Sequence, residues 1–400
     1  MADQPRTSVP ALPPLLKHLN ERTVLEAIRA GAPISRAEIS RRAGISKPTV
    51  SLALQSLLAA GLVRRATSEP TGPRYGAVFF ESVPEAALVL GLDVGGRFLR
   101  GAICDLRGDT RARLDVEIDR SDAARVLDQI ADLRDRLVAT SALDGELVSG
   151  AVVGVPGVVD AERRGIALAT SVAGLEGVTF GTDLERRLEL PVSLENDVNL
   201  AALGEHWQGV ARGVDDFLFL SIGTGMGAGL VLRGELHRGH NGAAGEIDFA
   251  LVGLAQDVDP CAGAVSTFAA GLVAAGTSST TLTPPYDARD IFAAARAGDT
   301  IATEVVEEVA RRIAVHIVPV AAVTDVSLVV LGGGLGANGD LLLERVRDRL
   351  RGWIPYPPRV EVSSLGEAAV LTGALAFGLR RALDEVVERR AVVRASDARR

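Results

Sequence analysis

Apolar positions in the first eighty residues recur with helical spacing. Val24, Leu25 and Ile28 make a stripe that Gly31 and Pro33 close. Ser35 is placed to cap a short helix from Arg36 to Ala43, with Ala37, Ile39 and Ala43 facing inward and Gly44 supplying the turn. Ser46 caps a third helix with Pro48 in its first turn, where a missing N–H costs nothing. Val50, Leu54, Leu57 and Leu58 form the buried face of that helix. Gly61 to Arg65 then reads as a strand, TSEPTGPR as a loop, and Tyr75 to Phe80 as a returning strand. Helix, short helix, turn, capped helix and hairpin is the layout of a winged helix-turn-helix. Arg36, Ser46, Lys47, Pro48, Thr49 and Ser51 are the groups expected against a major groove, and Arg64, Arg65 and Arg74 those where a wing meets the phosphate backbone. A small helical interaction domain with a solvated basic face is the alternative.

From Ala87 the pattern becomes α/β. ALVLGLDV is an apolar strand, Gly95 and Gly96 make a turn, and Phe98 to Cys104 returns. Ser121 caps an amphipathic helix to about Thr140. Val148 to Val155 is a buried-type strand followed by Pro156 and Gly157, and Pro191 to Leu194 is a short strand from which Glu195, Asn196 and Asp197 open a helix. The stretch FLFLSIGTGMGAGLVL, Phe217 to Leu232, repeats the strand, glycine turn, strand form of residues 87–104, and this echo implies two similar lobes. It is no dinucleotide fingerprint, because its glycines lead into a strand rather than a helix. Its turn either brings backbone N–H groups against a phosphate or binds nothing. Helical patterning returns from about Thr300 to Val323. A strand from Val326 to Leu331 runs into Gly332, Gly333 and Gly334 before a helix from Asn338 to Arg351, and a closing helix covers about Glu367 to Glu388.

Charge sharpens this division. Residues 1–80 hold eleven Lys and Arg against five Asp and Glu, a balance of +6, which leaves −14 of the net −8 on the remainder. A basic module on an acidic body points to a polyanion-binding domain joined to something that does not bind polyanions. With 400 residues, 47% of them hydrophobic, the chain is expected to form two or three domains. No apolar run reaches the ~20 residues that span a bilayer, and the N-terminal residues lack a signal-peptide core, so a cytoplasmic protein is expected. Cys104 and Cys261 allow no disulfide framework and no CxxC zinc pair.

Three carboxylates stand at element ends where chemistry is usually placed. Asp93 closes its strand and suits a metal or a metal-bound water near phosphate, or else caps a turn. Asp197, at a strand-to-helix junction, suits a general base toward a ligand hydroxyl, or is an ordinary N-terminal helix residue. Glu246 in GHNGAAGEIDF is a hydroxyl ligand or a solvated loop residue. His237 and His240 lack a third ligand, so no metal site is expected there.

The order of these sites, with LENDVN at 194–199, SIGTGMGAG at 221–229 and NGAAGEI at 241–247, resembles the ROK family of sugar kinases and sugar-responsive repressors from about Asn20 to Leu383. The resemblance implies an α/β fold: an N-terminal winged helix-turn-helix plus a duplicated actin-like ATPase (ribonuclease H-like) two-lobed body. The expected boundaries are a leader over 1–14, the DNA-binding domain over 15–82, lobes over 85–205 and 206–385, and a frayed tail over 386–400. By position, Asp93, Gly95 and Gly96 are similar to the first phosphate motif, Gly223, Thr224, Gly225 and Gly227 to the second, and Gly332, Gly333 and Gly334 to the part that meets adenosine. Asn196 and Asp197 resemble the sugar-binding pair with the catalytic Asp, and Glu246, Gly157 and Ser171 further sugar contacts.

Several departures fall around this one pocket. Arg97 stands where the kinases have Thr, GEIDF replaces GEIGH, Ser171 replaces a sugar-binding Asn, and DVDPCAGAVSTF keeps only Cys261 of the zinc loop. Phosphoryl transfer needs its groups held together within a fraction of an ångström, so this concerted loss implies weak or absent kinase activity. The expectation is a sugar-responsive regulator, dimeric or tetrameric, binding operator DNA and no membrane. It needs no cofactor and no zinc, and uses Mg-ATP only if it remains an active, glucokinase-like sugar kinase.

Overall fold

The computed structural model describes residues 12–66, 77–160, 165–168, 176, 179–251, 253, 257–276 and 278–397. The first module packs helices α1 (Leu12–Arg29), α2 (Arg36–Ala43) and α3 (Lys47–Ala59) against strands β1 (Ile34–Ser35), β2 (Val63–Arg65) and β3 (Phe79–Ser82). Ser35 accepts from the Glu38 amide and Gly44 takes φ 66° at the end of α2, where a side chain would be strained. The Ser46 hydroxyl accepts from the Thr49 amide, fixing the start of α3 just where the chain leaves the turn. Val24, Leu25, Ile28, Ile39, Val50, Leu54 and Leu57 close the core.

Two sequence expectations shift here. Of the expected returning strand, residues 75 and 76 lie outside the described residues, 77 and 78 are not strand, and β3 runs on to Ser82, with Val63 opposite Ser82 and Arg65 opposite Phe80. Leu58 is 36% exposed, and Ala53 takes its place on the buried face of α3. The helix of the module also begins at Leu12, inside the expected leader.

The body has two lobes with the same sheet plan. In the first, β4 (Leu88–Val94), β5 (Phe98–Asp105), β6 (Thr110–Glu117), β7 (Val148–Val155) and β10 (Val192–Asn196) run in the order β10-β7-β4-β5-β6. Helix α4 (Ala123–Ser141) follows β6, with Asp122 rather than Ser121 as its cap. A small ribbon, β8 (Val158–Asp160) and β9 (Gly165–Ala167), and helix α5 (Phe180–Leu188) lie between β7 and β10. Helix α6 (Asp197–Gln208) then crosses to the second lobe, where β11 (Phe217–Ile222), β12 (Met226–Leu232), β13 (Glu235–Leu236), β14 (Leu328–Gly332) and β15 (Arg359–Val362) run β13-β12-β11-β14-β15. In both sheets the first strand pairs antiparallel with the second and parallel with the fourth, which establishes the duplication suspected from the glycine turns.

Helices α7 (Ala262–Ala275), α8 (Ala288–Arg296), α9 (Thr300–Thr324), the short α10 (Gly333–Gly336) and α11 (Gly339–Trp353) belong to the second lobe, and α12 (Ala369–Asp397) closes the chain. Its placement corrects the expected boundaries: α12 packs on α6 and on β4 and β7, so it returns to the first lobe, and the division at 205/206 falls inside α6. The tail expected to fray from 386 continues as helix to Asp397. Where α6 and α12 cross, a Cβ on Gly373 would overlap the Leu200 carbonyl and one on Gly204 the Ala369 carbonyl, so glycine is what lets the two backbones meet.

Candidate functional site

A cluster of carboxylates from both lobes is built around the point where β10 gives way to α6. Asn196 caps α6, its Oδ1 accepting from the Asn199 amide at 2.9 Å, while its Nδ2 donates to the Gly157 carbonyl at 2.9 Å. The next residue, Asp197, accepts from the Val198 amide at 2.8 Å. Burial, with repulsion from Glu246 added, pushes its carboxyl up to about 6. Asp93, at the end of β4, is buried and pushed up to about 7 by desolvation first and the charge of Asp197 second. Glu246 is raised as well, by burial and then by Asp248. Asp197 thus stands between the other two, sensing Glu246 and repelling Asp93, and a carboxyl held near neutral pH is one that can exchange a proton.

The glycine side divides into open and packed positions. At the β11–β12 turn, the Gly223 amide donates to the Gly225 carbonyl at 2.9 Å, and Thr224 and Gly225 are exposed. The Gly334 amide nitrogen lies 3.9 Å from where a Gly223 Cβ would be, so the hairpin and the triple glycine adjoin. Gly96, Gly225 and Gly334 face open space. The others have packing reasons: Gly227 makes room for Val198, Gly332 for the Phe219 ring, and Gly333, at φ 75°, for the Ile222 backbone. A Cβ on Gly95 would sit 3.3 Å from the Arg100 guanidinium.

Arg100 is the main residue that sequence reasoning passed over. It reaches Asp93 at 3.3 Å, Asp115 at 3.6 Å and Glu367 at 2.7 Å, giving the buried carboxylate a cation of its own. Arg97, which stands where the kinases have Thr, lies over the Phe98 ring and reaches Glu117 at 3.5 Å. A second missed pair ties the lobes together. Arg238 donates to buried Glu195 at 2.7 Å, and Glu195 also accepts from Asn199 at 3.0 Å. The 239–246 loop is wedged in from the same side, since a Cβ on Gly242 would overlap the Val159 carbonyl and one on Gly245 the Ala228 carbonyl.

The expected zinc region holds a different device. Arg312, 3% exposed, donates to Asp257 at 2.9 Å, to Glu308 at 2.9 Å and to the Asp259 carbonyl at 2.7 Å. His316 lies beside it, its Nε2 3.1 Å from the Val258 carbonyl, and burial lowers its pKa. Asp248 is raised by burial and by Asp259, whereas Phe249 is 62% exposed. Among the described residues, no three His, Cys, Asp or Glu side chains are placed to share a metal ion.

On the N-terminal module, Ser46, Lys47 and Pro48 are exposed at the start of α3, with Thr49 and Ser51 half-buried beside them. Arg36 donates to the Ser51 hydroxyl at 3.1 Å, and Arg65 is exposed. Arg64 differs from expectation, because its Nε is held by buried Glu81 at 2.7 Å and so has a structural partner. Arg74 and Ser171 lie outside the described residues.

Comparison with known proteins places both parts. The ROK family model matches residues 89–381, and a MarR family model matches 18–72. A xylose repressor from Caldicellulosiruptor bescii is 27% identical over 387 residues, covering 91% of this chain and 96% of that protein. A glucokinase from Halalkalibacterium halodurans is 29% identical and covers 71% of this chain and 92% of its own length. Among solved structures, a ROK family transcriptional regulator homologous to the E. coli MLC protein superposes with a TM-score of 0.79 at 22% identity, over 93% of this chain and 98% of that one. A ROK glucokinase from Streptomyces griseus with glucose and AMPPNP gives a TM-score of 0.59 at 26% identity, over 74% of this chain and 100% of that one.

Proposed function

As this chain belongs to the ROK family, we propose that it is a DNA-binding transcriptional repressor of carbohydrate genes, controlled by a sugar or sugar-derived ligand held between its lobes. The observation that carries this reading is the union in one chain of a capped, exposed α3 start and a cluster of carboxylates in which Asp197 senses Glu246 and repels Asp93. The similarity to the xylose repressor spans both parts, whereas that to the glucokinase covers 71% of the chain. Asn196, Asp197 and Glu246 would take the ligand's hydroxyls, with Gly157 positioning Asn196. Ser46, Lys47, Thr49 and Ser51 would enter a major groove, and Arg65 would meet the backbone. The protein acts as a homodimer or tetramer in this reading, since paired half-sites require paired modules. Ligand shifts the balance between DNA-competent and incompetent states only by its differential affinity for them. No zinc or other cofactor is required.

A second reading, residual phosphoryl transfer, is favoured by one observation: Asp197 carries a carboxyl near 6 beside an open glycine hairpin. Thr224, Gly223 and Gly225 would then meet the phosphates of Mg-ATP, which supplies the transferred phosphoryl group. Asp93 would have to release Arg100 to face the metal. The deciding experiment measures binding to genomic operator fragments with and without a sugar panel, alongside ADP release from Mg-ATP. Release of DNA by at least one sugar, lost in Asp197→Asn, is expected. ADP release that vanishes in Asp197→Asn, without a sugar effect on DNA, overturns the proposal.

A further inference from the structure

A second cleft, of about 510 Å³, lies away from the lobes' mouth, between α1 of the N-terminal module and the α6 and α12 helices of the body. Its size falls within the range of small-molecule sites. Its chemistry is opposite to that of the carboxylate cleft. Five arginines line it against one acid, Glu26, and Trp207 and Phe377, with Leu203, Leu379 and Leu383, supply its apolar part.

Three of those arginines have counter-charges. Arg22 pairs with Glu26 at 3.0 Å, Arg107 with Glu81 at 3.4 Å, and Arg380 with Glu235 at 2.7 Å. The other two, Arg29 and Arg212, make no short ion pair among the described residues. The Nε of Arg29 is buried with no hydrogen-bond partner, and desolvation draws its guanidinium below the ordinary value even though the charges of Glu26 and Asp105 act to raise it. Buried charged donors left unsatisfied are costly, and a guanidinium stays protonated, so the demand is for an anion rather than for deprotonation. Two cations without a hydrogen-bonded carboxylate suit a dianion, and the planar guanidinium fork matches phosphate oxygens.

We propose that this cleft is a second ligand site for a phosphate monoester, its phosphate held by Arg29 and Arg212 and its organic part lying against Trp207 and Phe377. The organic part is a sugar or a nucleoside, the two sources of this chemistry that the experiment separates. A molecule bound here touches α1 and α12 at once and so ties the N-terminal module to the body. That consequence rests on the DNA-binding reading, while binding itself does not.

The test is calorimetric titration of the full chain with inorganic phosphate, glucose 6-phosphate, AMP and, as the uncharged control, glucose. At least one monoester is expected to bind, more tightly than inorganic phosphate, with affinity reduced tenfold or more in Arg212→Ala and in Arg29→Gln. The same affinity should persist in Asp197→Asn, which alters only the inter-lobe cleft. Arg212 is exposed, so its variant tests the site even if Arg29→Gln fails to fold. Absence of binding by either monoester, binding unchanged in Arg212→Ala, or binding lost in Asp197→Asn would each overturn the proposal. Equal affinity for inorganic phosphate and both monoesters would overturn the role given to Trp207 and Phe377.

Discussion

Replacing Asp93 by Asn should stabilise the protein at alkaline pH and lose that advantage in acid. The native carboxyl keeps its proton to about pH 7 because it is buried and faces Asp197. In the unfolded chain it gives the proton up near pH 3.9. Between these values the native state binds more protons than the unfolded one, so the contribution of Asp93 to stability is full below pH 4 and lost as pH rises through 7. A shift of roughly three units, at 1.36 kcal/mol each, amounts to about 4 kcal/mol above pH 8. Asn cannot titrate and keeps nearly the same shape, and Arg100 retains Glu367 at 2.7 Å and Asp115 at 3.6 Å. In differential scanning calorimetry, the melting temperature of Asp93→Asn minus that of the parent should grow by a few degrees between pH 4.5 and pH 8.5. A difference that stays flat across this range, or shrinks, would refute the picture of a buried Asp93 carboxyl facing the charge of Asp197.

Three further outcomes follow from the packing and the ion pairs. Lys47→Ala should weaken operator binding and lower the slope of log affinity against log salt by about 1 in anisotropy titrations, as it removes an exposed cation that in the proposed docking would neutralise a phosphate at the edge of the groove. Arg312→Met should cost about 2 kcal/mol in urea unfolding and reduce the hydrogen-exchange protection of residues 257–261, because Asp257, Glu308 and the Asp259 carbonyl lose their shared donor. Gly373→Val should cost about 3 kcal/mol or more, its Cβ meeting the Leu200 carbonyl, whereas Gly352→Ala, with nothing within 4 Å, should be neutral or stabilising by calorimetry.

Local rules carried the DNA-binding module because its signals are local: Ser35, Gly44, Ser46 and Pro48 act within four residues of themselves. The wing strand slipped because its register is set by pairing across the sheet, Val63 with Ser82, which no neighbouring residue announces. The duplication was legible in two glycine turns, but the return of α12 to the first lobe was not, since Gly204 and Gly373 lie far apart in the chain and meet only at the helix crossing. Asp93, Asp197 and Glu246 could be picked out by their positions at element ends. Arg100, the partner of Asp93, and the separate Glu195–Arg238 pair could not be picked out in the same way, because neither pair joins near neighbours in the chain. Arg100 follows Asp93 by seven residues, opposite it in the β4–β5 register, and a hairpin drawn strand by strand would have found it.

The path of α12 gives the molecule a mechanical consequence. Near its start, Ala369 shares the second lobe's apolar cluster with Phe217, Leu328 and Val330, while Leu379, Ala382 and Leu383 share a cluster with Val24, Leu25 and Ile28 of the N-terminal module. The crossing with α6 is an extended seam, with Gly373 against the Leu200 carbonyl and Gly204 against the Ala369 carbonyl, and α12 also lies along β4 and β7. From Gly373 to Leu383 the helix runs roughly 15 Å at 1.5 Å per residue. A rigid rotation of α12 by about 10° about Gly373 would carry its far end a little under 3 Å. One helix therefore joins the second lobe's apolar cluster to the module that carries α3, so that a displacement at either end would be felt at the other.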